Sequence, residues 1–492
     1  MSAGMDDPHL KQIYLENRLT RFERLLKDVR DRSHQIIAEA RHFRPDFQCE
    51  LQIPPDAQTM LDKKKMYNGI NIHFPLIWED GVKWLLRVRQ AQDGYPPAEI
   101  QQSVTNSEIT VLCILNRNNI SVPNAWYENK RGYNEGDLHY FFYEYLEGRA
   151  LRLPKKGVDG LWKPGVRMRH IINQYAKFQI QVSDHPIPAR LIGSPSFFPD
   201  IGAEAELRVG PLVNFHCLNR LEAPYFLGPF RNNQERYLAQ IDLALSHIAD
   251  GYICQNATLD GYLFHLQLKE LVSNCSVLME QPEEVYIKHA DDKGDQFMGD
   301  ENDNLTGVID WEWAYVTTKS EAFTAPIFCF WSIKYFVGDN ILSPAEEILI
   351  EEYGRLGRHD LADCVGNGKI YQRLSHIGTF DQSIWNQRSI LDIFEKFKPA
   401  GFKPPRWVGK KWRVYLIDRY KMDGNLERLM LREGWDQGKE AAEVARERED
   451  IRAETMKEYP ELDLTADQEK DQQRAQRAVE RRAAKAKRKA TG

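Results

Sequence analysis

Much that would classify a chain of 492 residues at a glance is scarce or missing here. Cysteine is sparse. The seven residues (Cys49, Cys113, Cys217, Cys254, Cys275, Cys329 and Cys364) are odd in number and scattered, with no Cys-x-x-Cys pair. That pattern argues against a disulfide framework or a cysteine-ligated zinc site and fits a reducing compartment. The opening residues, MSAGMDDPHLKQ, lack the basic start and apolar stretch of a signal peptide. The longest apolar run, APIFCFWSIKYFV at 325–337, contains Lys334 and is too short to span a bilayer, so it reads as a buried helix. Neither sign of charge dominates. Lys and Arg number 66 against 72 Asp and Glu, a net charge of -6, too mild to suggest a nucleic-acid or membrane partner. No repeat at a fixed period and no Gly-x-Gly-x-x-Gly loop occurs. The expectation is a soluble intracellular protein of the cytoplasm, with the nucleus left open by a basic tail described below.

What is present is ordinary globular composition, 42% hydrophobic and 28% charged, at a length suited to two or three domain-sized units. Residues 8–42 place Leu15, Leu19, Phe22, Leu25, Leu26, Val29, Ile36 and Ile37 at helical spacing, which predicts an amphipathic helix. From about 65 the pattern turns to strands. Two β-rich runs, 69–78 and 82–89, flank Glu79-Asp80-Gly81, and Asp-Gly is a hairpin signal. Residues 107–117 read as a helix, and 138–146 as a buried strand closed by Glu147-Gly148. Beyond 149 helical patterns prevail, at 166–181 and 233–250 for example, broken only by a hairpin around 286–310. The Pro- and Gly-rich stretches at 186–211 and 400–409 read as loops.

Chemistry concentrates in residues 289–313, HADDKGDQFMGDENDNLTGVIDWEW. Asp291 and Asp310 are separated by about one small hairpin, so two carboxylates sit on neighbouring segments. Such a pair suits phosphoryl transfer: one accepts the proton of an attacking hydroxyl, and the other binds the Mg²⁺ that bridges nucleotide phosphates. Read as structure only, they are a turn Asp and a hairpin-end Asp.

On these residues the chain resembles the aminoglycoside phosphotransferase/choline kinase group, and most of all its fungal members. The match extends upstream over most of 65–340. The group's catalytic loop reads approximately His-Gly-Asp-Leu-His-x-x-Asn and its metal segment Ile-Asp-Trp. The resemblance implies a protein-kinase-like α+β fold, with a small antiparallel-sheet lobe and a larger helical lobe. Its expected boundaries are a helical extension at 1–60, a small lobe at 61–148, a large lobe at 149–440 and a charged helical or disordered tail at 441–492. It further implies ATP and Mg²⁺ as cofactors and a small hydroxylated molecule as acceptor. His289 falls on the loop His, Asp291 on the catalytic base, Gln296 on the Asn that binds metal and Asp310 on the main Mg²⁺ ligand. Arg87 takes the place of the phosphate-binding cation, and Glu108 that of its acidic partner. The hinge at 142–146, with Glu144 and Tyr145, would bind adenine through backbone groups. Asp292 and Asp295 read as solvated charges, or else as further metal ligands.

Two departures give the alternative its weight. Gln296 carries the metal-binding amide on a stem one methylene longer than Asn, and Mg²⁺ tolerates distorted geometry badly. The loop that would cover the nucleotide, residues 67–71, has a single glycine, Gly69. An inactive relative of the same fold, serving as a binding or scaffold protein through its terminal helices, is the rival. No Ala-Pro-Glu-like segment follows Asp310, which disfavours a protein substrate.

The end of the chain loses aromatics. From Arg474 to Lys489 there are eight basic residues and one acid, with nothing to stack on bases, so nucleic-acid recognition is disfavoured. This composition has too little apolar surface to offset its ordering entropy. Deleting 466–492 is therefore expected to shift the melting temperature by no more than about 2 °C, measured by differential scanning fluorimetry.

Overall fold

The segment Asn71–Trp78 alternates strictly, with Ile72, Phe74, Leu76 and Trp78 buried on one face. A period of two cannot serve a helix, and the run forms a central strand of a five-stranded antiparallel sheet. The computed structural model describes residues 8–63, 67, 69–89, 98–127, 138–151, 165–198, 206–213, 225–330, 333–379 and 387–458. In chain order the small lobe holds α1 (Pro8–Asp31), α2 (Ser33–Phe43), β1 (Cys49–Leu51), α3 (Ala57–Asp62), β2 (Asn71–Trp78), β3 (Lys83–Arg89), α4 (Ala98–Arg117), β4 (Ala125–Trp126) and β5 (Tyr140–Glu144). Its strands lie in the order β1-β2-β3-β5-β4. β2 and β3 pair symmetrically about Asp80, which sets His73 opposite Arg87 and Asn71 opposite Arg89.

The sheet buries one face under the first two helices. Phe22, Leu25, Leu26 and Val29 of α1 and Ile36 and Ala40 of α2 share one core with Ile72, Phe74, Trp84, Leu86 and Phe142. The helix expected over 8–42 is thus two helices that break after Asp31. β1 lies inside the stretch expected as a purely helical extension. Its residues pair with β2, Cys49 opposite Trp78, so the sheet starts earlier than the composition indicated.

The larger lobe is mainly helical. It begins with β6 (Arg149–Ala150) and α5 (Val166–Ser183), then β7 (Ser194–Phe198) and β8 (Glu206–Gly210). The last two form a hairpin within 186–211, a stretch expected to be loop; Ser194 pairs with Gly210. Its signal was hidden because proline and glycine sit at the strand ends, where they do not break the ladder. After α6 (Asn233–Ala249) and α7 (Thr258–Ser273) come β9 (Tyr286–Lys288), β10 (Phe297–Gly299), β11 (Leu305–Val308) and β12 (Tyr315–Thr317). β10 pairs with both β11 and β6 beneath the link between the lobes. Gly148 is required there: its φ is +126°, and a Cβ would come within 2.6 Å of the Gly299 carbonyl oxygen.

Short helices follow: α8 (Lys319–Ala322), α9 (Ile327–Phe330), α10 (Ile333–Phe336), α11 (Pro344–Arg355), α12 (His359–Gly366), α13 (Lys369–Leu374) and α14 (Gln387–Ile393). The buried helix expected at 325–337 is divided between α9 and α10, and residues 331–332 lie outside the described residues. α15 (Lys410–Arg419), α16 (Leu426–Arg432) and α17 (Gln437–Glu458) close the described chain. α17 packs more than its composition suggests. Val444 is buried, and Glu440 and Glu443 pair with Lys410 at 2.9 and 2.7 Å, because the acids recur on the face toward α15. The basic run 474–489 lies outside the described residues. No described helix is long and apolar enough to cross a membrane.

The extension is part of the folded lobe. Leu26 is 2% exposed beneath the sheet, so Leu26→Ala should cost about 2–4 kcal/mol and lower the urea midpoint of unfolding.

Candidate functional site

Asp291 and Asp310 are brought together by the hairpin between them. Phe297 of β10 pairs with Val308 of β11, so the chain after β11 returns alongside the loop that precedes β10. Two bonds fix the return: Ile309 N–H donates to the Gln296 carbonyl at 3.0 Å, and His289 Nε2 lies 2.9 Å from the Ile309 carbonyl. The tautomer of His289 follows from its other nitrogen. Nδ1 accepts from Asp291 N–H at 3.3 Å, so Nε2 carries the hydrogen and donates to Ile309. His289 stacks obliquely on Trp311, ring centroids 4.6 Å apart. It is therefore a buried brace between the two acidic segments.

The backbone on both sides is held in an uncommon conformation. Ala290 (φ +68°) and Asp310 (φ +69°) lie in the left-handed region, which non-glycine residues enter at a cost of about 1–3 kcal/mol. Such strain persists only where surrounding contacts impose it. At Asp310 the contacts are the Tyr143 hydroxyl, which accepts from its N–H at 3.2 Å, and the Arg87 guanidinium.

Arg87 joins the lobes. Rising from β3, its side chain is 4% exposed, and its Nε donates to Glu108 Oε2 at 3.2 Å. Nη1 meets His73 Nε2 at 3.0 Å, and Nη2 lies 2.9 Å from Asp310 Oδ1 and 3.0 Å from Glu108 Oε1. The expected approach of Arg87 to Glu108 is present, and the three basic residues of β3, Lys83, Arg87 and Arg89, do not share one environment. Lys83 alone is exposed, pairing with Glu147 at 2.7 Å. Arg89 is buried and reaches Glu312 Oε2 at 3.1 Å, an oxygen that also accepts from Asn71 Nδ2 at 2.8 Å.

Two guanidinium groups thus serve three carboxylates, Glu108, Asp310 and Glu312. Burial raises the Glu108 carboxyl despite the pull of Arg87, and Glu312 and Asp310 add to the rise. Asp310 moves the other way. Burial would lift it, but Arg87, with His289 and His73, holds it below the usual carboxylate range. Burial together with Arg87 drives His73 down to about 3, consistent with its role as acceptor from a group that can only donate. Asp291 is raised. Burial is the larger cause, opposed by Lys293 and His289 and reinforced by Asp310.

Several further residues stand where the chain alone did not indicate. Lys293 Nζ lies 2.9 Å from Asp291 Oδ2 and is 44% exposed. Asp292 is neither solvated nor turned toward the metal position. It is buried, and its Oδ1 accepts from Ile327 N–H at 2.9 Å at the start of α9. Asp295 is exposed, as a solvated charge should be. Gln296 is buried, and its Oε1 accepts from Gly294 N–H at 3.2 Å, inside its own loop. The Glu144 and Tyr145 N–H groups are committed to the Asn124 and Lys83 carbonyls, at 2.8 and 3.3 Å, and the Glu144 carboxylate accepts from Asn124. Of the expected nucleotide-covering loop, Asn68 lies outside the described residues. Tyr67 is buried, its carbonyl held by Arg18 at 2.9 Å.

His73 was within reach of the sequence. The Asp80-Gly81 turn fixes the register of the hairpin, and counting back from it puts His73 opposite Arg87. Glu312 and Arg89 were not, because a charged residue reveals nothing of its burial before the lobes meet.

Among the described residues, no three His, Cys, Asp or Glu side chains gather as a metal site would. A nucleotide-borne Mg²⁺ needs only one or two carboxylates, since phosphates and water complete its shell. Asp310 fits that need. It is held ionised, is 36% exposed, and its Oδ1 alone is engaged by Arg87.

No family model matches the chain, and no curated protein matches it. Solved structures do. A type I macrolide 2′-phosphotransferase is 13% identical, covering 75% of this chain and 97% of its own, with a TM-score of 0.37. An ethanolamine kinase from Plasmodium vivax is 12% identical over 77% and 82%, with a TM-score of 0.38. A macrolide 2′-phosphotransferase from Brachybacterium faecium is 11% identical over 75% and 99%, at 0.33. These are remote likenesses of overall architecture.

His73 supplies a test by pH. Its folded value of about 3 lies below an unfolded value near 6.5, so the unfolded chain takes up the proton first. Stability from this group is complete above about pH 6.5 and falls as the solution is acidified toward pH 3. His73→Gln keeps an acceptor for Arg87. It should flatten the loss of stability on acidification by roughly 1 kcal/mol per pH unit, read from urea unfolding at several pH values.

Proposed function

We propose that the chain transfers a phosphoryl group from ATP to a hydroxyl of a small molecule. The observation that carries this reading is the divergence of two neighbouring carboxyls, Asp291 raised and Asp310 lowered. Two acids whose surroundings push them apart can divide the labour of base and cation ligand. Asp291 accepts the acceptor's hydroxyl proton on a carboxyl oxygen. Lys293, beside it, offers a partly exposed ammonium to meet phosphate oxygens. Arg87 presents its guanidinium from the small lobe, oriented by Glu108 and His73. Asp310 would hold Mg²⁺, which when bound neutralises charge on the transferred phosphate. Gln296 serves chiefly to shape the loop, since its amide oxygen is turned to Gly294. A direct role for it at the metal requires that bond to be given up.

The rival, a nucleotide-poor scaffold of the same fold, draws on that inward Gln296 and on the thin covering loop. ATP consumption across a panel of small hydroxylated acceptors separates the two. Turnover by the wild-type chain should fall at least about a hundredfold in Asp291→Asn, while stabilisation by ATP plus Mg²⁺ in a thermal-shift assay persists. The rate should also decline on acidification, because a base with a raised carboxyl loses its lone pair to solvent protons earlier than an ordinary Asp. A wild-type rate no greater than that of Asp291→Asn on every acceptor would decide for the scaffold.

A further inference from the structure

Arg87 has five N–H groups, and most are spoken for. Three hydrogen bonds run to Glu108, His73 and Asp310, and Nη2 also abuts the second Glu108 oxygen. The acceptors differ in exposure. Glu108 is 3% exposed and Glu312 7%, whereas Asp310 is 36% exposed. A ligand entering from solvent therefore meets Asp310 first, with the Nη2 edge of Arg87 behind it. The cluster already carries three carboxylates against two guanidinium groups. A phosphate arriving alone adds negative charge to a site whose acids already match its two guanidinium groups, at low dielectric.

We propose that Asp310 and a nucleotide phosphate compete for the Nη2 edge of Arg87, and that a divalent cation settles the competition by drawing Asp310 away. This rests on the cleft being a nucleotide site. Arg87 then has two settings. Without metal it is paired with Asp310 and closes the two lobes on one another. With metal on Asp310, the Nη2 N–H that Asp310 had accepted is free for phosphate. Metal and nucleotide each bind weakly alone and strongly together, and the coupling is reciprocal, as any binding linkage must be. His73 and Glu108 do not move between the settings. They hold the guanidinium plane in both, which is why a neutral acceptor rather than a further acid stands at His73.

The test is calorimetric titration of the full chain with adenylyl imidodiphosphate, in Mg²⁺ or in EDTA, on wild type and Asp310→Asn. Asparagine suits the left-handed backbone at this position, so the variant should fold. Removing the charge releases Arg87. Asp310→Asn should bind the metal-free nucleotide about tenfold more tightly than the wild type does, and Mg²⁺ should add less than about twofold to it. In the wild type Mg²⁺ should add about tenfold or more, and nucleotide should raise Mg²⁺ affinity by the same factor. If the wild type binds the nucleotide equally with and without metal, or if a folded Asp310→Asn binds metal-free nucleotide no better than wild type, the competition is wrong and the nucleotide site stands. If neither protein binds the nucleotide in any condition, the nucleotide reading itself falls. Should Asp310→Asn fail to fold, Asp310→Gly, which also accepts the left-handed backbone, takes its place under the same criteria.

Discussion

The ionic contact between Arg87 and Asp310 is the constraint on which the arrangement of the site depends. It is a single bond of 2.9 Å between a strand of the small lobe and the segment after β11 of the large one. Around it the molecule has arranged everything a buried charge requires. Glu108 takes the guanidinium from α4, His73 takes it from the neighbouring strand, and Glu312 gathers Arg89 and Asn71 into a second layer. Burying ions is costly, and removing one partner of a buried pair leaves a naked charge worth about 3–5 kcal/mol. The cluster therefore helps to fix how the lobes meet.

The small lobe is braced from outside as well. α1 lies over the sheet, and its arginines reach past it. Arg18 holds the Tyr67 carbonyl, and Arg30 holds those of Pro54 and Pro55 at 2.7 Å. The connection between β1 and β2 contains α3 and is tied to α1 at Pro54, Pro55 and Tyr67. The helical extension thus has a mechanical part in the lobe, which composition alone could not distinguish from a docking surface.

Much of the fold was legible because periodicity survives without tertiary context. β2 and β3, β5, α5 and α6 stand where alternation and helical spacing put them, since burial on one face writes itself into the order of residues, whereas α4 covers the expected 107–117 but starts earlier, at Ala98. The β7–β8 hairpin and β1 escaped notice. The first begins and ends at residues that usually mark loops, and the second is three residues long and identified only by its partner. In the site, Asp291 and Asp310 were legible as a pair because a hairpin separates them. Asp292 was misread as solvated or metal-facing because its partner, the Ile327 amide, is distant in sequence.

By itself the sequence determined which residues could carry charge into a cleft, the register that sets His73 against Arg87, and the turn that returns Asp310 to Asp291. Each is a local matter of spacing, turn chemistry and side-chain type. Tertiary structure alone decided which of those charges are buried and with whom: Arg89 on Glu312, and Arg87 on Glu108 and Asp310. The reason is physical. A carboxylate's proton affinity depends on the dielectric and the charges within a few ångströms, and for Asp310 the strongest opposing charge, Arg87, stands 223 residues away along the chain.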